Sequence, residues 1–130
     1  MGKTLLKYLR SFTSILLGYM VIVLCTVVGF KPLGGIVHLD APFRTQAAGA
    51  LVAIIAGLLG GVTAALVAGR HPVRHAAGVL IFLVADTAVV LSRGSTDPLW
   101  FDLLGSITLM LATVCGGVLY RVVNQHHRFA

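Results

Sequence analysis

The stretch AAGALVAIIAGLLGGVTAALVAG, residues 47–69, decides the fold. It contains no charged residue, and it exceeds the roughly 20 apolar residues that a helix needs to cross about 30 Å of hydrocarbon. Three further apolar runs occupy residues 11–30, 76–92 and 103–120. Because each run is close to membrane-spanning length, the sequence predicts four transmembrane helices.

The overall composition indicates the same class. Hydrophobic residues make up 58% of the chain and charged residues 11%, with a mean hydropathy of +0.97. Water-soluble domains carry about a quarter charged residues, so water is not the main solvent of this chain. A cleavable signal peptide is an alternative for the first run, but residues 25–29 show no cleavage pattern, and we expect a permanent helix. The predicted fold class is an all-α membrane protein, an up-down bundle of four transmembrane helices.

The breaks between the runs follow ordinary helix-end chemistry. Gly69 suits a left-handed helix end and Pro72 suits a first helical turn, so a tight hairpin is expected between them. Asp97 before Pro98, and Asp40 shortly before Pro42, are candidate N-cap residues. We predict one domain spanning residues 1–130, with helices at about 8–30, 42–69, 73–93 and 98–122.

The basic residues predict an orientation. Seven of them flank one side of the bundle: Lys3, Lys7, Arg10, Arg70, Arg74, Arg121 and Arg128. The other side carries Lys31, Arg44 and Arg93, which Asp40, Asp97 and Asp102 balance. By the positive-inside rule we expect both termini (N-in/C-in) in the cytoplasm, with the chain in an inner or plasma membrane of the bacterial type. This bias explains the net charge of +6, and we expect no nucleic-acid partner.

The second run carries the strongest packing signal. Small residues recur at every fourth position, forming a ridge of Gly49, Ala53, Gly57, Gly61, Ala65 and Gly69. Such residues let another helix backbone approach closely, which favours association in lipid. The first or third helix of the same chain, a second copy, or a different protein could fill this face. The fourth run has a comparable stripe with more polar residues, among them Asp102, Ser106 and Thr113.

Asp86 is the candidate functional residue. It lies about 3 Å from the middle of the third run at 1.5 Å per residue. An ionised carboxylate there is costly unless it is protonated, paired or facing a wet cavity. The hypothesis is an intramembrane proton or cation relay with Tyr19, Ser106 and Thr108 as partners; the alternative is a structural hydrogen bond that fixes helix register.

Other polar residues form weaker patterns. His38, Asp40, Asp97 and Asp102 are expected to gather as a polar cluster on the outer surface. Their spacing fixes no metal geometry, and we predict neither a metal nor a cofactor. Nucleophile, base and metal do not converge in the sequence, so no enzyme is expected.

Two functions remain after these exclusions. The first is a small accessory or scaffolding subunit that packs against another membrane protein through its small-residue helix faces. The alternative is an oligomeric proton- or ion-coupled transporter or channel that uses Asp86. In either case the expected partners are the lipid bilayer and another membrane protein or further copies of the chain.

Overall fold

The structure, a computed structural model, describes the backbone of residues 2–129 and the side chains of residues 4–125. It contains four long α-helices, as predicted, and a short 3₁₀ turn at Lys31–Leu33. The helices are α1 (Gly2–Phe30), α2 (Phe43–Ala68), α3 (Pro72–Ser92) and α4 (Leu99–Phe129). Two of the basic side chains used to predict orientation, Lys3 and Arg128, lie outside the described side chains.

The helix ends differ from prediction mainly at the two ends of the chain. The sequence predicted helix from about residue 8 and up to about residue 122, whereas α1 begins at Gly2 and α4 continues to Phe129. The prediction followed the apolar runs. Backbone helicity extends past them, because Leu, Lys, Arg and Gln are all good helix formers whether or not they lie in lipid.

The α2–α3 connection has the predicted end signals. Gly69 has a left-handed φ of 66°, and its N–H donates to the Ala65 carbonyl, while Pro72 occupies the first turn of α3. Arg10 of α1 adds a bond that the sequence did not suggest: its Nε donates to the Val67 carbonyl at 2.9 Å. The guanidinium therefore satisfies a carbonyl in the last turn of α2, where the helix dipole favours a cation.

All four helices are long and apolar enough to cross a membrane, with mean hydropathies of 1.9 to 2.4 over their best 18-residue windows. The shortest, α3, has 21 residues and is about 31 Å long. Large apolar side chains point outward: Leu24 is 64% exposed, Ile81 71% and Leu111 62%. Small residues fill the interior instead, which is the packing expected of helices that associate in lipid.

Helix α2 is the centre of the bundle. It packs most extensively against α4 and α1, and α3 packs against all three other helices. Within the part of the chain that the structure describes, α1 and α4 do not contact each other. The four helices therefore form a rhombus with α2 and α3 across its short diagonal.

Two small-residue faces of α2 explain its position. Gly57 and Gly61 lie against α4: an added Cβ at Gly57 would be 2.7 Å from the Leu109 carbonyl oxygen, and one at Gly61 would collide with the Thr113 carbonyl. Gly60 on the neighbouring face lies against Gly18 of α1, whose carbonyl oxygen would be 2.7 Å from an added Cβ. At Gly57 and Gly61 the ridge is thus filled by α4, whereas its end members Gly49 and Gly69 lie next to Phe30 and Arg10 of α1.

Packing divides the bundle into two halves. We define the terminal half as residues 4–22, 56–83 and 109–125, and the loop half as residues 23–55 and 84–108. Every buried residue among residues 4–125 belongs to the terminal half, except Gly49. The tightest helix contacts, at Gly61 and Gly116, also lie in the terminal half. In the loop half α1 and α2 still pack together, with Gly29 against Val52, and all four helices line an open cavity.

Candidate functional site: the loop-half cavity

A cavity of about 490 Å³ occupies the loop half. All four helices line it, together with the segment Gly35–Val37 of the α1–α2 connection. Its walls combine apolar side chains such as Phe30, Val90 and Leu104 with a smaller polar set. The polar lining residues are Thr26, Gln46, Asp86, Thr87, Asp102, Ser106 and Thr108. This volume and this mixture are typical of ligand-binding pockets.

Helical periodicity places the lining residues. On α4, residues 101–102, 105–106 and 108–109 recur at three- and four-residue spacing and so share one face. On α2, Gln46, Gly49 and Ala53 do the same. The helices run in alternating directions, since the second half of α1 and the first half of α2 meet at the same cavity.

Missing side-chain volume keeps the cavity open. Ala53 belongs to the same ridge of α2 as Gly57 and Gly61. It lines the cavity, whereas Gly57 and Gly61 contact α4. Gly105 of α4 has no atom within 4 Å of the position that a Cβ would take. The ridge was predicted to be one packing face across the whole membrane depth. In the structure Gly57 and Gly61 pack against α4, while Gly49 and Ala53 line the cavity.

Two carboxyl groups line the cavity. Asp86 on α3 is exposed and forms no salt bridge with any residue among 4–125. Asp102 on α4 is partly buried, and its Oδ2 atom is buried without a hydrogen-bond partner. A buried carboxyl oxygen that lacks a donor is costly, and a cation in the cavity would interact favourably with the Asp102 carboxyl without touching this atom.

Most of the remaining polar lining groups have already used their protons, and the exception is the Ser106 hydroxyl, for which the structure shows no hydrogen bond. The hydroxyls of Thr26, Thr87 and Thr108 donate to the carbonyls of Ile22, Leu83 and Leu104 at 2.8 to 2.9 Å. A carbonyl only accepts, so in each pair the threonine is the donor and keeps only lone pairs for the cavity.

The Gln46 amide and the lack of basic side chains in the described lining also leave the cavity with few hydrogen-bond donors. Gln46 Nε2 donates to the carbonyls of Leu39 and Ala41 at 2.6 and 2.9 Å. No lysine, arginine or histidine is among the described lining residues. The cavity therefore offers acceptors and negative charge, with few donors.

A hydrogen-bonded clasp holds the wall formed by the α1–α2 connection. Asp97 accepts the Leu39 N–H at 2.9 Å through Oδ1, and its Oδ2 lies 2.8 Å from His38 Nδ1. The Leu39 amide and then the His38 ring hold the pKa of Asp97 below its ordinary value. Gly34 and Gly35, with φ of 88° and 99°, provide the turn that returns the connection over the cavity.

The structure brings some of the predicted relay residues together. Ser106 and Thr108 share the cavity with Asp86, as hypothesised. Tyr19 lies outside this lining and stacks on Phe82, one turn from Asp86 on α3, with ring centroids 5.2 Å apart. In the structure neither Tyr19, Ser106 nor Thr108 forms a hydrogen bond with Asp86. The Asp86 carboxyl remains open to the cavity.

The predicted outer-surface cluster divides into two groups. His38, Asp40 and Asp97 line a shallow depression with Thr96 and Pro98, whereas Asp102 faces the main cavity. Among the described residues, no group of three His, Cys, Asp or Glu side chains is placed to hold a metal ion.

Sequence reasoning missed the role of Asp102 and Gln46 in the cavity. Asp102 was assigned to the outer-surface cluster, although helical phase also placed it on the polar stripe of the fourth run with Ser106, which lines the cavity. That shared phase was the available signal. Gln46 gave none, because it lies before the apolar run.

Comparison of the chain with protein-family models, with curated proteins and with solved structures found no match.

Proposed function

We propose that this chain is an integral membrane protein that acts, as an oligomer, as a small proton- or cation-coupled transporter or channel. Its cation site is the loop-half cavity, and Asp86 is the carboxyl that exchanges a proton for the cation. The observation that carries the proposal is a membrane-length bundle with a cavity that is rich in hydrogen-bond acceptors and lined by two carboxyl groups.

The orientation follows from the charge bias. Five of the eight described Lys and Arg side chains lie in the terminal half, and the other three lie in the loop half, where acidic residues balance them: Lys7, Arg10, Arg70, Arg74 and Arg121, against Lys31, Arg44 and Arg93. With the terminal half toward the cytoplasm, N-in/C-in, the cavity opens toward the outer face of the membrane. The bundle is closed toward the cytoplasm by the packing of its terminal half.

The exchange step uses the chemistry of a carboxyl group within a span. The proposed exchange requires a proton on Asp86 when no cation is bound, because an uncompensated carboxylate within a span is costly. Binding of a cation releases the Asp86 proton and leaves a neutral carboxylate–cation pair, so charge is conserved at the site. The Asp102 carboxyl, whose buried oxygen lacks a donor, stabilises the same cation.

Oligomerisation is part of the proposal because a single bundle leaves Asp86 exposed on α3. An exposed carboxyl within a span is costly unless it meets water or another protein surface, and a second copy would supply such a surface. A continuous path across the membrane would then run between copies, since the terminal half of each bundle is packed by Gly57, Gly61 and Gly116.

The second candidate is the accessory or scaffolding subunit. The exposure of Asp86 favours it, because a different membrane protein could equally supply the cover. The small-residue ridge gives it less support than the sequence suggested, because Gly57 and Gly61 are filled by α4 of the same chain. Asp86 would then be a contact residue, and the purified chain alone would carry no flux.

Ion flux in reconstituted vesicles tests the proposal. The purified chain is placed in liposomes that contain a pH-sensitive dye, and proton flux is driven by an outward gradient of K⁺, Na⁺ or the organic cation tetramethylammonium, each tested separately. We expect flux above that of empty liposomes for the wild type, and flux at the empty-liposome level for Asp86→Asn. Asp40→Asn, an exposed acid at the same end that does not line the cavity, is the matched control and should keep wild-type flux.

Equal flux in Asp86→Asn and the wild type would remove the coupled-transport function. Native mass spectrometry of the chain extracted from its own membranes separates the candidates independently. A homo-oligomer supports the transporter or channel, while a stoichiometric mass of a different membrane protein supports the accessory subunit.

A further inference from the structure

We infer that the loop-half cavity binds an organic cation, a single positive charge carried on an apolar body, rather than a bare inorganic ion. This inference rests on the proposed function and specifies the substrate class of the same site. It follows from the size of the cavity, the arrangement of its oxygens and its aromatic wall.

The cavity is too large and too apolar for an inorganic ion. Its volume of about 490 Å³ compares with roughly 30 Å³ for one water molecule, so a small ion would have to bring most of its hydration shell. Walls such as Phe30, Val90 and Leu104 give those waters no hydrogen bonds. An apolar body of suitable size replaces that water favourably, because each Å² of apolar surface removed from water contributes about 25 cal/mol.

The oxygens are also arranged unfavourably for a metal. Mg²⁺ and Ca²⁺ need about six or more oxygen ligands at 2.0 to 2.6 Å. The two carboxyl groups, Asp86 and Asp102, come from different helices, and no third acidic, histidine or cysteine side chain joins them among the described residues. A diffuse positive charge requires no fixed ligand geometry, and two separated carboxylates attract it without enclosing it.

Aromatic rings add to the same preference. Phe30 of α1 and Phe101 of α4 both line the cavity, and ring faces attract cations, most strongly those that are weakly hydrated. The ring of Trp100 packs edge-on against Phe101, with centroids 5.8 Å apart. Trp100 is the single tryptophan of the chain, so its fluorescence reports on a ligand that moves Phe101.

Binding of tetraphenylphosphonium to the purified full-length chain in detergent tests the inference, with Trp100 fluorescence as the signal and equilibrium dialysis as an independent measure. We expect saturable binding that weakens roughly tenfold or more in Asp86→Asn and in Asp102→Asn, and no change in Asp40→Asn. Triphenylphosphine oxide, a neutral compound of similar shape, should bind at least roughly tenfold more weakly than the cation.

A cavity-filling variant protects the test against misfolding of the aspartate variants. Gly105→Leu places its side chain in open space, so we expect it to keep the wild-type circular dichroism spectrum and elution volume while losing tetraphenylphosphonium binding. Retained affinity in this variant would show that the probe binds elsewhere. Equal affinity for the neutral compound would show that the cavity is an apolar or lipid site, and would also overturn the inference.

The outcomes separate this inference from the proposed function. Vesicles that show Asp86-dependent proton flux, while the purified chain binds no tetraphenylphosphonium, would overturn the organic-cation inference and leave the coupled-transport function standing. Asp86-dependent probe binding without flux would support the inference and contradict transport by the chain alone.

Discussion

The two halves of the bundle use the same small residues for opposite purposes. In the terminal half, Gly57 and Gly61 bring α2 against the backbone of α4. In the loop half, Ala53 and Gly105 face space, and the volume that their side chains do not occupy belongs to the cavity. A small residue in a membrane helix therefore permits close approach but does not cause it. The position of the helix crossing decides whether the permitted contact is made.

The largest expected effect comes from adding one methyl group in the terminal half. Gly61→Ala would force the α2 and α4 backbones apart at the Thr113 carbonyl, and we expect a loss of about 2–3 kcal/mol in the free energy of unfolding. The measurement is unfolding in mixed micelles with increasing dodecyl sulfate, followed by circular dichroism.

Gly105→Ala is the matched control in the loop half. The same methyl group enters open space there, and alanine is the better helix former, so stability should be unchanged or rise by up to about 1 kcal/mol. Equal destabilisation by both substitutions would mean that the loop half is as tightly packed as the terminal half, and that the comparison is wrong.

A smaller effect is expected at the bond between α1 and the end of α2. Arg10→Met removes the donor to the Val67 carbonyl while keeping the length of the side chain. We expect a loss of about 0.5–1 kcal/mol in the same unfolding assay, because the bond is solvent-exposed. Lys7→Met, which removes an exposed charge one turn earlier on α1, is the control. A similar loss in both would assign the effect to charge rather than to this bond.

The hydrogen bonds that Asp97 accepts in the clasp should weaken as the solution becomes acidic. Because the pKa of Asp97 is held below its ordinary value, the carboxylate's stabilisation of the loop is fully present above the ordinary carboxyl range and is lost as the pH falls through the lowered value. Hydrogen exchange of the Leu39 amide is the measurement. At neutral pH we expect the Leu39 amide to exchange more slowly than its intrinsic rate. This protection should decrease in strongly acidic solution, and it should be reduced at all pH values in Asp97→Asn.

Asp40→Asn should leave that protection unchanged, because Asp40 lies near the clasp without bonding to it. Protection of Leu39 that is the same in Asp97→Asn and the wild type would contradict the role given to Asp97.

The smallest expected effect on stability is that of Asp86→Asn. Asp86 is exposed and forms no salt bridge in the described chain, so its replacement should change the free energy of unfolding by less than about 0.5 kcal/mol. The structural alternative raised by the sequence instead predicts a large loss for Asp86→Leu, which cannot form the hydrogen bond that would fix helix register, while Asp86→Asn keeps the fold in either case. The unfolding assay distinguishes the two roles without any assumption about transport.

The sequence predicted what depends on local chemistry. Apolar length gave the four helices, and Gly69 and Pro72 gave the turn between α2 and α3. It did not predict that α4 fills the ridge of α2 at Gly57 and Gly61, because ridge spacing identifies a packing face and not its partner.

The cavity was equally out of reach of the sequence. Asp86 could be selected by depth alone, since a charged residue far inside an apolar run is conspicuous. Asp102 and Gln46 line the same cavity as Asp86 because of the way the four helices pack together, which is a property of the assembled bundle.

The most direct test of the central claim is thiol accessibility in the two halves. Single cysteines are introduced at Ser106, which lines the cavity, and at Thr113, which is fully buried in the terminal half, in a chain with Cys25 and Cys115 replaced by serine. Each is exposed to a cationic and to an anionic methanethiosulfonate of similar size. We predict that the Ser106→Cys variant reacts, faster with the cationic reagent, and that the Thr113→Cys variant reacts with neither. Equal reactivity at the two positions, or faster reaction of the anionic reagent at position 106, would contradict the account.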